Sequence, residues 1–200
     1  MSPLHAVVAD TMTFAYLQAF GGLDVLHDVA TRTGKIWVTR SVLEDLCRTA
    51  ELGLLVQSWC DRKQLTLFSP VVDDAVSRVV NGVVGTPRSR LVRRNRVDTE
   101  LIEVAGLHDG AVLTSESGIQ KLAAKRDVPA LDLLALLAWA VRIGVMSPSD
   151  ADARARPWST RAGSATGVPR DFQGSFAETA RRRGKRLVTL LDALANGSAA

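Results

Sequence analysis

The chain is poor in the residues that build the most recognisable sites. It has two cysteines, Cys47 and Cys60, with no Cys-x-x-Cys or Cys/His spacing. That excludes a zinc module and leaves two buried free thiols in a reducing compartment as the expectation. The three histidines, His5, His27 and His108, show no paired spacing, so each is read as a surface or half-buried side chain, not a catalytic base. Aromatic residues make up 5%, too few for a base-stacking platform. Trp37, Trp59 and Trp139 fall in predicted strands or helices and are expected in the core, with Trp158 anchoring the tail to the domain. No glycine-rich loop ends in Lys-Ser/Thr and no Gly-x-Ser-x-Gly elbow is present, which argues against an NTPase and a serine hydrolase. The most apolar segment, residues 131–141, falls short of the roughly 20 residues that span a bilayer, and reads as a buried helix. No basic run precedes an apolar stretch near residue 1, so the expected location is cytoplasmic and no membrane partner is expected.

What is present describes an ordinary folded domain with a basic bias. The chain is 46% apolar and 23% charged, enough to fill a core and too balanced for wholesale disorder. A formal charge of +4 over 200 residues leans toward an acidic partner such as nucleic acid. Short apolar runs at residues 5–9, 36–38, 65–68 and 111–114 read as buried strands, with a very short one at 127–130. Helices are expected over 13–20, 23–31, 42–49, 51–61, 71–80, 98–107, 117–126 and 131–143, and a short one from Ser147-Pro148. Residues 81–96 read as a loop. Strands alternating with helices predict a three-layer α/β/α domain with a central, mainly parallel sheet over residues 1–156. A linker from Pro157 to about Gly174 and a helical tail over 176–194 complete the chain, with a basic run at 181–186.

Four acids stand at corresponding places in these elements. Asp10 ends the run Val7-Val8-Ala9, and Glu116 follows Ala111-Val112-Leu113-Thr114-Ser115. Glu44 lies in Ser41-Val42-Leu43-Glu44, and Asp98 opens Asp98-Thr99-Glu100-Leu101. Singly, each has a structural explanation: Asp10 and Asp98 as helix N-caps, Ser41 with Glu44 as a capping box, Glu116 as a first-turn acid. Together they matter more, because a parallel sheet gathers its strand ends on one edge and a divalent cation is the usual reason to assemble carboxylates. Arg88, Arg90, Arg93, Arg94 and Arg96 immediately precede Asp98, a basic stretch suited to phosphates at the rim of such a site.

These segments resemble those of the PIN-domain ribonucleases, including the compact toxins of toxin–antitoxin pairs. The resemblance runs over residues 5–150: a first strand ending Asp10-Thr11, a Glu after the second strand at Glu44, an acid opening a helix that runs from Asp98 to Ala105, and a fourth acid at Glu116 after Leu113-Thr114-Ser115. The segment 118–144, with Ala123-Ala124-Lys125 and Leu133 to Leu137, is similar to the family's ending. Glu116 stands where the family usually has Asp, and Met12 where a small polar residue is common. The resemblance implies a metal-dependent endoribonuclease using Mg²⁺ or Mn²⁺. Asp10, Asp98 and Glu116 would hold the ion, Glu44 would orient a water or take a second ion, and Thr11 and Thr114 would hydrogen-bond the carboxylates. It also implies RNA as substrate, an antitoxin or other regulatory protein as partner, and pairing with a second copy. The competing expectation is a non-catalytic module of the same scaffold that binds RNA or protein. A third is an interaction protein that works through its basic tail. A phosphatase is set aside, because Asp10-Thr11-Met12 lacks the second Asp of that motif.

Overall fold

A computed structural model describes residues 3–68, 90–162 and 185–196. Its sheet has five parallel strands, β1 (Val7–Ala9), β2 (Ile36–Thr39), β3 (Thr66–Phe68), β4 (Ala111–Leu113) and β5 (Ala130–Leu131), in the order β3-β2-β1-β4-β5. The expected three-layer α/β/α architecture is what forms. Strands β1 and β4 are buried along their whole length, as a parallel sheet covered on both faces requires.

The chain leaves β1 toward β2 and β3 on one side and returns to β4 and β5 on the other. α1 (Thr11–Phe20) and α2 (Leu23–Thr33) join β1 to β2, and α3 (Arg40–Leu46) and α4 (Ala50–Asp61) join β2 to β3. α5 (Arg90–Leu107) precedes β4 and packs across β1 and β4, while α6 (Ser117–Ala124) packs against α5 and β5. α7 (Leu133–Arg142) follows β5 and packs on α2, then α8 (Pro148–Ala162) and α9 (Lys185–Asn196) pack on α7. With the right-handed connections that parallel strands impose, β1 and β4 flank the point where the winding reverses. The crevice outside their C-terminal ends is where such sheets take ligands, and Asp10 and Glu116 lie at those two ends.

Several features differ from expectation. Residues 90–96 are helical, because α5 begins at Arg90 and not at Asp98; of the predicted loop, residues 81–89 lie outside the described residues, as does the predicted helix 71–80. The fifth strand is Ala130–Leu131, two residues later than 127–130 centres it, because Asp132 caps α7 by accepting from Ala135 N at 2.9 Å. α8 does not stop before Pro157 but runs to Ala162 with the proline inside it. The buried ring of Trp158 holds that extension: its Nε1 donates to Phe20 O at 3.2 Å, across the turn that ends α1. Finally, Cys47 is exposed and Cys60 only half-buried, so the expected pair of buried thiols is not found; burial still pushes the Cys60 thiol up to about 11, with the nearby Asp61 charge adding to the rise.

The tail is part of the body. In α9, Leu187, Leu190, Leu191 and Leu194 are buried. Leu4 N donates to Ala193 O at 2.9 Å. The buried ammonium of Lys35 donates to Leu4 O at 3.1 Å and also to Leu194 O. A cation on the last carbonyls of a helix complements its dipole. This clamp sits before β2, at the sheet edge opposite Asp10.

One glycine measures how tightly α3 and α4 pack. A Cβ added at Gly53 would lie 2.4 Å from Cys47 Cα, a backbone atom that cannot swing aside. Gly53→Ala is therefore expected to lower stability by about 1–3 kcal/mol through overpacking. A fall in Tm of several degrees in a thermal melt checks it, and an unchanged Tm would mean that the two helices part freely.

Candidate carboxylate site

The sheet register builds the site's floor. Ala9 pairs with Leu113 and Val8 with Trp37, so the next level across β2, β1 and β4 reads Thr39, Asp10, Thr114. Neighbouring strands are about 4.8 Å apart. All three side chains are buried, Asp10 to 2% exposure. Asp10 caps α1: its Oδ1 accepts from Thr13 N at 2.5 Å, and its Oδ2 accepts from the Thr114 hydroxyl. Thr13, not Thr11, is the threonine of α1 that reaches this level, and its Oγ1 donates to Leu113 O at 2.8 Å. Thr11 opens the helix and is partly exposed.

The electrostatics are those of an anion in a hole. Burial raises the Asp10 pKa above the ordinary carboxylate range; hydrogen bonds from Thr114 and Thr13 pull it back, and the charge of Glu116 pushes it further up. Among the described residues, the groups that favour its charged form are hydroxyl and amide donors. Glu116 stands at the N-cap position of α6 with no side-chain cap hydrogen bond, so capping does not account for it.

A second acidic pair lies beside β2. The α3 cap is Thr39, which accepts from Val42 N at 3.3 Å, and the helix starts at Arg40. This overturns the expected capping box: Ser41 is inside the helix, and Glu44 is an exposed residue of α3 beyond reach of a cap role. The freed Ser41 hydroxyl donates instead to Glu100 Oε2 at 2.6 Å. Glu100 is 1% exposed. Burial raises its pKa, the Ser41 and Thr39 hydroxyls and the Arg96 charge lower it, and the Glu44 charge raises it.

Asp98 is not a helix cap. It lies two turns into α5 and is partly exposed, two residues before the buried Glu100. Arg96 is partly buried and close enough to Glu100 to favour its charge. Arg90, Arg93 and Arg94 belong to the first turns of α5, and Arg88 lies outside the described residues. Of the tail's basic run, Lys185 and Arg186 open α9.

The structure thus brings the acids together as pairs, Asp10 with Glu116 and Glu44 with Glu100. Among the described residues no group of three or more His, Cys, Asp or Glu side chains is placed to hold one metal ion. The donor chemistry itself fits a hard cation: the ligands are all oxygen, and two of the carboxylates are buried beyond what hydrogen bonding from neutral groups repays. Glu100 is the residue that sequence reasoning missed. It falls three residues after Val97 and four before Val104, so a glutamate in the middle of an apolar helical stripe was the available signal.

No protein-family model matches this chain, and no curated protein matches it.

Proposed function

We propose that the chain is a metal-dependent endoribonuclease, acting at the C-terminal ends of β1 and β4. The observation that carries this reading is Asp10, a carboxylate buried at the sheet's switch point, crowded by Glu116 and, among the described residues, stabilised by neutral donors. Such an arrangement costs stability and is explained by a cation that it exists to hold. Asp10 and Glu116 would hold Mg²⁺ or Mn²⁺, with Asp98 and Glu44 as the remaining family-like acids. A bound ion of this kind supplies an acidified water and a polarised phosphate. The chain's own part is to fix the carboxylates. Thr114 and the Thr13 amide lock the Asp10 rotamer, and the burial of both threonines keeps bulk water from the back of the site. Arg96, with the other arginines that precede Asp98 in the sequence, would draw RNA phosphates.

The toxin-like resemblance adds a regulatory protein partner, pairing of copies and a cytoplasmic setting to this proposal. The described residues contain no helix long and apolar enough to cross a membrane. The second reading, a non-catalytic module binding RNA or protein, is favoured by one observation: among the described residues the acids stand in pairs and not as a chelating group of three.

The test is cleavage of a mixed RNA substrate with Mn²⁺ or Mg²⁺, repeated with excess EDTA. Cleavage that requires the ion is the expected result. Absence of cleavage together with absence of any Mn²⁺-induced rise in Tm would overturn the nuclease reading and favour the binding module.

A further inference from the structure

We infer that Glu100, and not Asp98, is the carboxylate of α5 that takes the divalent cation. The inference rests on the metal-site reading of the proposed function and names a residue which that reading leaves out. Three observations carry it, all geometric. First, Glu100 is 1% exposed, whereas Asp98 is partly exposed. Secondly, its two oxygens are treated differently. Oε2 accepts from the Ser41 hydroxyl at 2.6 Å, while Oε1 is fully buried and has no hydrogen-bond partner among the described residues. Thirdly, the carboxylate lies at the same sheet edge as Asp10, because its other oxygen, Oε2, is held by Ser41, two residues past Thr39, which flanks Asp10 in the register.

A buried carboxylate oxygen without a donor is costly. Glu44 adds a second negative charge; Arg96 outweighs that charge, yet burial still leaves the Glu100 carboxyl raised above its ordinary range. A carboxylate held by the Ser41 and Thr39 hydroxyls, with Oε1 left bare and a second acid alongside, is the preparation expected of a metal ligand whose rotamer is fixed from behind. Asp98, nearer solvent, is not enclosed in this way. Ser41 is then a positioning residue, and Glu44 is the outer carboxylate of the same pair.

The experiment is Mn²⁺ titration of the full chain, followed by the loss of the free-ion electron paramagnetic resonance signal and by the rise in Tm. Wild type, Glu100→Gln, Glu100→Asp, Asp98→Asn and Asp10→Asn are compared, each first shown by circular dichroism to unfold cooperatively. The expected result is that Glu100→Gln weakens Mn²⁺ binding at least about tenfold and Asp98→Asn changes it less than about threefold. Glu100→Asp, which keeps the charge but withdraws it by one methylene, should weaken binding while folding normally, so the inference stays testable if Gln is poorly tolerated. Binding that survives both Glu100 substitutions and is lost in Asp98→Asn overturns it while leaving the metal site standing. A wild type that binds no Mn²⁺ overturns the metal reading itself, and this inference with it.

Discussion

A chain lacking residues 185–200 is expected to lose its cooperative thermal transition. The tail was separable in the sequence, set off by a linker and carrying its own basic run. In the fold it is a wall of the core. Leu187, Leu190, Leu191 and Leu194 are buried against the body, and burying one leucine contributes about 1.5–3 kcal/mol. Four of them rival the whole ~5–15 kcal/mol margin of a domain. The deletion also strips Lys35 of its Leu194 carbonyl and Leu4 N of its Ala193 acceptor, and opens that clamp to water. Circular dichroism melts of the truncated and full chains decide the matter. A truncated chain that melts cooperatively within a few degrees of the full one would show that α9 is an appendage.

The second large effect runs in opposite directions for two readouts. Asp10→Asn is expected to reduce metal-dependent RNA cleavage at least about 100-fold, the scale seen when a preorganised electrostatic group is removed. In metal-free buffer the same change should raise stability at neutral pH. The sign follows from linkage. Burial raises the pKa of folded Asp10 above its value in the unfolded chain. The folded state therefore holds a proton that the unfolded state has released. The stability associated with the protonated acid is complete below the ordinary carboxylate value, about pH 4, and is lost as pH rises through the raised value. Asparagine does not titrate, so the Tm difference between variant and wild type should open from about pH 4 upward. At neutral pH a gain of about 1–3 kcal/mol is expected, each kcal/mol being worth roughly 2–4 °C at this length. Saturating Mn²⁺ should reverse the order by stabilising only the wild type. A variant that is less stable than wild type at every pH would mean that Asp10 serves as a helix cap and no more.

The site's logic is one of paired acids with unequal burial. In each pair one carboxylate is enclosed, Asp10 or Glu100, and its partner, Glu116 or Glu44, lies nearer solvent. The enclosed member is oriented by hydroxyls from adjacent elements, Thr114 in one case and Ser41 in the other. The desolvation of an enclosed carboxylate at the sheet's edge explains why the neutral variant of Asp10 is expected to gain stability in metal-free buffer while losing activity.

Much of this was written locally in the chain. Val7-Val8-Ala9 and Ala111-Val112-Leu113 are continuous apolar runs, which only a sheet covered on both faces buries, and Gly34, with φ 67, stops α2 where a side chain would be strained. Asp10 and Glu116 were legible for the same reason: each follows such a run, so the order of elements alone carried them to one edge. Other features depended on what comes across from elsewhere. Ser41 reads as an ideal cap in isolation, but β2 extends to Thr39 because β3 pairs with it there, and the cap moves back by two residues. That shift frees Ser41 to meet Glu100 from α5, 59 residues away in sequence. Pro157 reads as a stop, yet burial of Trp158 under the α1–α2 turn carries the helix past it. The sequence by itself determined the alternating α/β order and the two acids at the strand ends, because hydrophobic period and turn chemistry act over a few residues. Only the tertiary structure decided which acid of α5 is buried and that the tail is core, because desolvation depends on neighbours that the chain brings together from a distance.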